Sequence, residues 1–317
     1  MTAPVATPAV AAAPEASAPA SRGGGRASGS AGGPRTARVP AALGLVPFAV
    51  YVLVFLALPT VFAVGSGFFD KSGAFTLDNV AALGDPVILR TFWNSTWLSL
   101  LTAAVGAIVG ALVCWAMLGL AESGPTRRIV DATAGVFAQL GGVILAFMFI
   151  ATIGVQGILT LWVQDAFGIE LYADGPWIYE VPGLILPYVY FQVPLMVITF
   201  MPALSALKPQ WAEANLTLGG TRGGFWRYVG VPVLTPSFLA SFLLLFANAF
   251  SSYATAAALA SQGAQIVPLQ IRGALSSETV LGRENLAGAL ALGMIVVVAL
   301  VMWGYSIIQQ RAARWQR

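Results

Sequence analysis

The sequence predicts an all-α membrane protein with six transmembrane helices. Three observations carry that expectation: a chain 58% hydrophobic and only 9% charged, six long apolar runs, and no recurring alternation of the kind a lipid-facing strand requires. At a mean hydropathy of +0.80, the chain has too few polar groups to cover its surface in water. A helix needs about 20 apolar residues to cross a bilayer core. Runs of that length stand at 43–68, 96–120, 132–155, 181–204, 236–260 and 286–308. Helix is the expected state, because a lone strand in lipid leaves backbone groups unpaired.

Residues 1–40 precede the six-helix domain, 41–317. They are Ala, Pro, Ser, Gly and Arg with few bulky apolar side chains, a composition that cannot bury a core. A disordered tail is expected there, its arginines helping to set topology. The run at 43–68 exceeds the 7–15 apolar residues of a secretory signal and reads as the first span.

Orientation is read from Lys and Arg. Twelve lie on one side: Arg22, Arg26, Arg35 and Arg38 in the tail, Arg127 and Arg128 in the second loop, Lys208, Arg222 and Arg227 in the fourth, and Arg311, Arg314 and Arg317 at the end. Four lie on the other: Lys71, Arg90, Arg272 and Arg283. The third loop carries Asp165, Glu170, Asp174 and Glu180 instead. Both termini are therefore expected in the cytoplasm. Aromatic residues near span ends, such as Trp93, Trp177 and Trp303, suit interfacial anchoring.

Several chemistries are excluded. The chain has no histidine, which removes Ser/His/Asp catalysis and His-ligated metals. Its single cysteine, Cys114, forms no intrachain disulfide. A net charge of +3, thinly spread, is no nucleic-acid footprint. No cofactor or metal site is expected. No internal repeat of 20–50 residues is visible. The span cores hold no acidic or basic side chain, only mild polar residues: Gln139, Gln192, Asn248, Ser251, Ser252, Tyr253 and Thr255.

The fourth loop, 205–235, interrupts two apolar runs with WAEANLTLGGTRGGFWRYVGVPV. It lacks the G-x-x-x-x-G-K-[ST] of a phosphate loop, and no strand precedes its glycines as a dinucleotide fingerprint demands. Pro209 suits a helix's first turn and Gly219 its C-terminal stop. Glu213 lies in the N-terminal half, where the helix dipole favours a negative charge. A second short helix is expected over 225–229, broken by Pro232 before the fifth span. Trp211, Leu216, Leu218, Phe225 and Trp226 are expected to leave apolar surface that suits a protein partner.

This spacing resembles the EAA loop of binding-protein-dependent ABC importer permeases: E-A-A, three residues, G, nine residues, then I-x-L-P. Here the matching residues are Glu213, Ala214, Asn215, Gly219, Val229, Val231 and Pro232. The third position departs from alanine, and valines replace the Ile and Leu. The resemblance covers roughly residues 40–317. It implies the type I ABC importer permease (MetI-like) fold, a multi-pass chain of the cell inner membrane. It also implies a non-catalytic subunit whose partners are ABC ATPase subunits, a second permease subunit in a homo- or heterodimer, and an extracytoplasmic solute-binding protein. By the same resemblance the loop is a coupling helix. Glu213 then pairs with a basic residue of the ATPase groove, Gly219 permits the sharp turn, and Pro232 fixes the restart of the fifth span. Singly, each also reads as a solvated glutamate, a helix-ending glycine and a span-opening proline.

The fifth span and the loop after it resemble polyamine, iron, thiamine and aminoalkylphosphonate permeases more than sugar permeases. A small polar or charged solute is therefore expected first and a sugar second. Candidates to line a pathway are Gln192, Asn248, Ser252, Tyr253 and Thr255; each reads equally well as an interhelical hydrogen-bond partner. A self-sufficient secondary transporter is the alternative from another class, though it needs ionisable groups that the span cores lack. A scaffold without transport activity is a third.

Overall fold

A computed structural model describes residues 38–121, 124–260, 265–276 and 285–313. The expected disordered tail lies almost wholly outside these residues. So do Arg22, Arg26, Arg35, Arg283, Arg314 and Arg317 of the charge count. The chain divides into two compact units, Met1–Leu53 and Val54–Arg317. In the first unit, α1 (Arg38–Val52) is apolar with Pro47 inside it. Its side chains at Leu45, Phe48 and Tyr51 are exposed, as lipid-facing groups are.

Among the described residues of the second unit, the regular elements are all helices, joined by turns and one isolated bridge between Phe69 and Phe75. The unit runs through α2 (Leu58–Gly65), a short α3 (Asp78–Ala81), α4 (Pro86–Met117), α5 (Pro125–Gln139), α6 (Gly142–Ile153) and α7 (Ile158–Phe167). There follow α8 (Ile185–Ser205), α9 (Pro209–Thr217), α10 (Arg222–Phe225), α11 (Val231–Phe250), α12 (Ala254–Leu259), α13 (Val267–Leu275) and α14 (Leu286–Ala313). Among the described residues, six stretches are long and apolar enough to span a bilayer: Leu45–Phe68, Pro86–Met117, Gly142–Phe167, Val181–Ser205, Arg222–Phe250 and Leu286–Ile307.

The number of spans agrees with the sequence; the bounds of three of them do not. The second span starts ten residues earlier than expected, because Asp85 caps it by accepting a 2.8 Å hydrogen bond from the Val87 N–H and Pro86 fits the first turn. The third is displaced. Residues 125–139 form a separate amphipathic helix, and the chain breaks at Gly141–Gly142, where Gly142 takes a φ of +72°. The span is α6 plus α7, and Thr160 donates to the Gly154 carbonyl across the bend between them at Gly154–Gly157 (2.8 Å). The fifth begins at Arg222, fourteen residues before the expected Pro236, and ends at Phe250, ten short of Ala260, where the Ser251 hydroxyl turns back onto the Ala247 carbonyl (2.9 Å) and α12 starts afresh.

The core sits where α4, α8 and α11 meet. On α4 the small buried residues Ser95, Ser99, Ala103, Gly106, Gly110 and Cys114 recur at three- and four-residue steps and form one face. They let α8 approach closely. A Cβ on Gly106 would stand 2.6 Å from the Gln192 Cβ, and one on Gly110 would stand 2.5 Å from the Met196 Cβ. Between apolar helices in lipid such approach is the main source of attraction, since burial from water is not available. A second cluster joins α6, α8 and α12 around Leu145, Tyr188 and Leu259. Outside the spans, the Tyr172 phenol donates to the Ile153 carbonyl and stacks on Trp177; burial pushes its pKa up.

Candidate functional site: the loop between α8 and α11

Loop 205–235 folds as a short helix, a closed turn and a helix that leads directly into the fifth span. α9 starts at Pro209 as expected. Its end is a Schellman motif: the Gly220 N–H donates to the Asn215 carbonyl (2.8 Å) and the Gly219 N–H to the Leu216 carbonyl (3.0 Å). Gly219 takes a φ of +80°, the left-handed conformation that disfavours any residue with a Cβ. Space is not the constraint there, because a Cβ would meet nothing within 4 Å. The requirement at Gly219 is conformational.

Asn215, the departure from alanine, spans this turn. Its Nδ2 donates to the Thr221 carbonyl (3.0 Å), and a Cβ on Gly220 would stand 2.4 Å from its Oδ1. The Thr221 hydroxyl then caps α10 by accepting from the Gly224 N–H (3.1 Å). One side chain thus ties the end of α9 to the start of the next helix. In the sequence nothing points to this tie beyond asparagine's general liking for turns.

Glu213 and Ala214 are exposed on α9. Leu218 is 88% exposed, with Leu216 at 50% and Trp211 at 40%. Two of the five residues expected to join this apolar surface do not. Phe225 is buried, and Trp226 packs against the α4–α8–α11 cluster. The helix continues without interruption from Arg222 into the span and carries both rings inward. For the same reason Pro232 breaks nothing. A π-helical stretch, Trp226–Gly230, precedes it, and Pro232 stands at the first turn of α11. The wider turn relieves the clash that a mid-helix proline makes with the preceding turn. Val229 is half-buried, while Val231 and Pro232 face outward.

The five pathway candidates are not brought together as one lining. Gln192 is fully buried. With its nitrogen toward α11 it donates to the Leu245 carbonyl (3.0 Å), and its oxygen accepts from the Thr102 hydroxyl on α4 (3.0 Å). The network decides that orientation, and Gln192 is an interhelical tie. Thr255 is buried as well and accepts from the Gly142 N–H (2.9 Å). Asn248 and Tyr253 are exposed and Ser252 half-buried; the Ser252 carbonyl accepts from the Tyr188 phenol (2.9 Å).

Sequence reasoning missed one polar contact near the loop. Arg127 on α5 donates to the Ser205 hydroxyl at the end of α8 (2.9 Å) and lies 4.0 Å from Asp131. These three residues border a cavity of about 420 Å³. Among the described residues no three His, Cys, Asp or Glu side chains converge on a possible metal position.

No protein-family model matches the chain. It is 24% identical over 251 residues to a probable sulfate transport system permease protein of Helicosporidium sp. subsp. Simulium jonesii, covering 78% of this chain and 86% of that one. It is 26% identical over 218 residues to the ferric transport system permease protein FbpB of Actinobacillus pleuropneumoniae, covering 66% of this chain but only 30% of the relative. Its fold matches a bacterial ABC transporter structure involved in import of the acidic polysaccharide alginate, with a TM-score of 0.69 at 16% identity, over 86% of this chain and 95% of that one. Six spans, likeness to named transport permeases and the shared fold lead to one conclusion: the chain is a multi-pass membrane protein, similar in sequence to permeases of ABC transport systems and sharing the fold of type I ABC importer structures.

Proposed function

We propose that the chain is one of a pair of permease subunits that form the translocation path for a small polar or charged solute. An extracytoplasmic binding protein delivers the solute, and a separate ATPase supplies the energy. The chain itself performs no catalysis. The alginate transporter structure has a counterpart in complex with a periplasmic protein, which supports the binding-protein part of this reading. The relatives' solutes, sulfate and ferric iron, differ enough that they select none here; a sugar remains the second reading.

The observation that carries the proposal is the form of the 205–235 loop. A backbone-locked turn presents Leu218 and Leu216 to solvent beside Glu213, and its far side runs as continuous helix into the fifth span. Such a loop can receive a push from a docked subunit and pass it on without bending. In this reading Glu213 meets a basic residue of the ATPase, Gly219 holds the turn, and both termini lie on the ATPase side.

The test is co-expression of the chain with an ABC ATPase and its permease partner, followed by purification and reconstitution. Glu213→Lys is expected to leave insertion intact while removing ATPase association and uptake. A Glu213→Lys protein that still binds the ATPase and transports normally would refute the coupling role.

A further inference from the structure

A second cavity, of about 570 Å³, lies beyond the end of α11. α11 begins at the coupling loop, so this cavity is at the opposite end of the span. Its walls come from three places: Ser251 and Tyr253 just after α11, Ile271 and Leu275 on α13, and Met294 on α14. Met294 is eight residues into α14, about 12 Å along it, so the cavity reaches from the loops well into the span.

The chemistry of these walls is selective. They are mostly apolar, and among the described residues Arg272, itself exposed, is the only charged one that lines the cavity. Among the described residues no carboxylate lines the cavity or pairs with Arg272. The serine hydroxyl protons are already used: Ser251 donates to the Ala247 carbonyl and Ser276 to the Arg272 carbonyl (both 2.9 Å). Among the described lining residues, the side-chain donors left are the Arg272 guanidinium and the Tyr253 phenol.

We propose that this cavity binds an organic anion with an apolar body, its acid group on Arg272 and its body against Ile271, Leu275 and Met294. A guanidinium beside apolar walls gains most from a planar acid group that accepts two of its N–H donors. A polyamine would meet a like charge. A sugar would find too few polar partners for its hydroxyls. A bare sulfate would leave most of a volume typical of small-molecule sites unfilled. The anion has two possible sources, a transported solute or an acidic lipid. The first rests on the permease reading above; the second does not.

The test uses the full chain carrying Ser276→Cys in nanodiscs of phosphatidylcholine alone. Labelling by N-ethylmaleimide reports on the cavity, since the native Cys114 is fully buried. Three probes share a ring and differ in charge: benzenesulfonate, phenyltrimethylammonium and benzyl alcohol. Benzenesulfonate is expected to slow labelling several-fold, the other two to leave it unchanged, and an added Arg272→Gln to abolish the protection. Equal protection by all three, no protection by benzenesulfonate, or protection that survives Arg272→Gln overturns the proposal. Repeating the experiment with phosphatidylglycerol in the nanodisc separates the sources. Slow labelling without any probe there assigns the site to lipid, and unchanged labelling assigns it to a solute. None of these readings requires an ATPase, so failure here is distinct from failure of the coupling role.

Discussion

The α4–α8–α11 core and the 205–235 loop solve opposite problems. In the core, glycines serve for space: Gly106 and Gly110 stand where a Cβ would enter α8, and Gln192 ties the three helices through otherwise apolar surroundings. In the loop, glycine serves for conformation: Gly219 has open space around it and a positive φ. The core leaves nothing for a partner. The loop is held by backbone bonds and one asparagine, and it leaves its leucines uncovered. A region that completes its own packing serves stability; one that fixes its backbone yet exposes apolar side chains suits cover by another chain, which is what the proposed coupling role requires.

Substitutions can break that contrast, and the largest effect is expected in the core. Gly110→Leu inserts a branched side chain against Met196, an overpacking cost of about 3 kcal/mol or more. The protein should fail to accumulate in membranes, as read by quantitative blotting of the membrane fraction. Near-normal accumulation would mean that α4 and α8 are not closely packed. Gln192→Ala removes the tie and leaves a void, a loss of about 2 kcal/mol. Thermal unfolding in detergent should shift down while uptake per folded molecule holds. Altered solute preference at unchanged stability would restore Gln192 to the pathway.

In the loop the stability effects are smaller and the functional ones sharper. Gly219→Val costs roughly 1–2 kcal/mol of left-handed strain, confined to the turn. Insertion should persist and ATPase association should weaken. Asn215→Ala, which restores the residue usual in the EAA pattern, removes one hydrogen bond worth about 1 kcal/mol. It should reduce coupling only slightly, measured as solute taken up per ATP hydrolysed. A large loss from Asn215→Ala would mean that its bond to the Thr221 carbonyl, and not the glycine turn, holds the loop.

The two regions also differed in how far the residues could be read in advance. Hydropathy was enough to find six spans because each is apolar over a full bilayer width. It misplaced the third because the window average runs straight over Gly141 and Gly142, where the backbone turns away. The loop's turn was legible, since few residues other than glycine suit a left-handed helix end. The inward turn of Phe225 and Trp226 was not, because it depends on a π-helical stretch and on what α11 packs against. Gln192 was read as equally a lining or a bonding residue. Only its three-dimensional neighbours decide between these, and they lie roughly 50–90 positions away in sequence. Local motifs can be read along the chain; the meaning of a lone polar residue in a span cannot.

The central claim is that the exposed face of α9 is covered by an ATPase. Leu218, capping its C-terminus, is the most exposed large residue there, and Leu218→Cys tests the claim most directly. In the assembled transporter, a short bifunctional maleimide should join Leu218→Cys to cysteines placed in the ATPase surface that faces the membrane, giving a heteromeric adduct on a denaturing gel. Ser276→Cys, at the opposite end of the spans, should give none. No adduct from Leu218→Cys in a transporter that is active and intact, or an equal adduct from Ser276→Cys, would contradict the account.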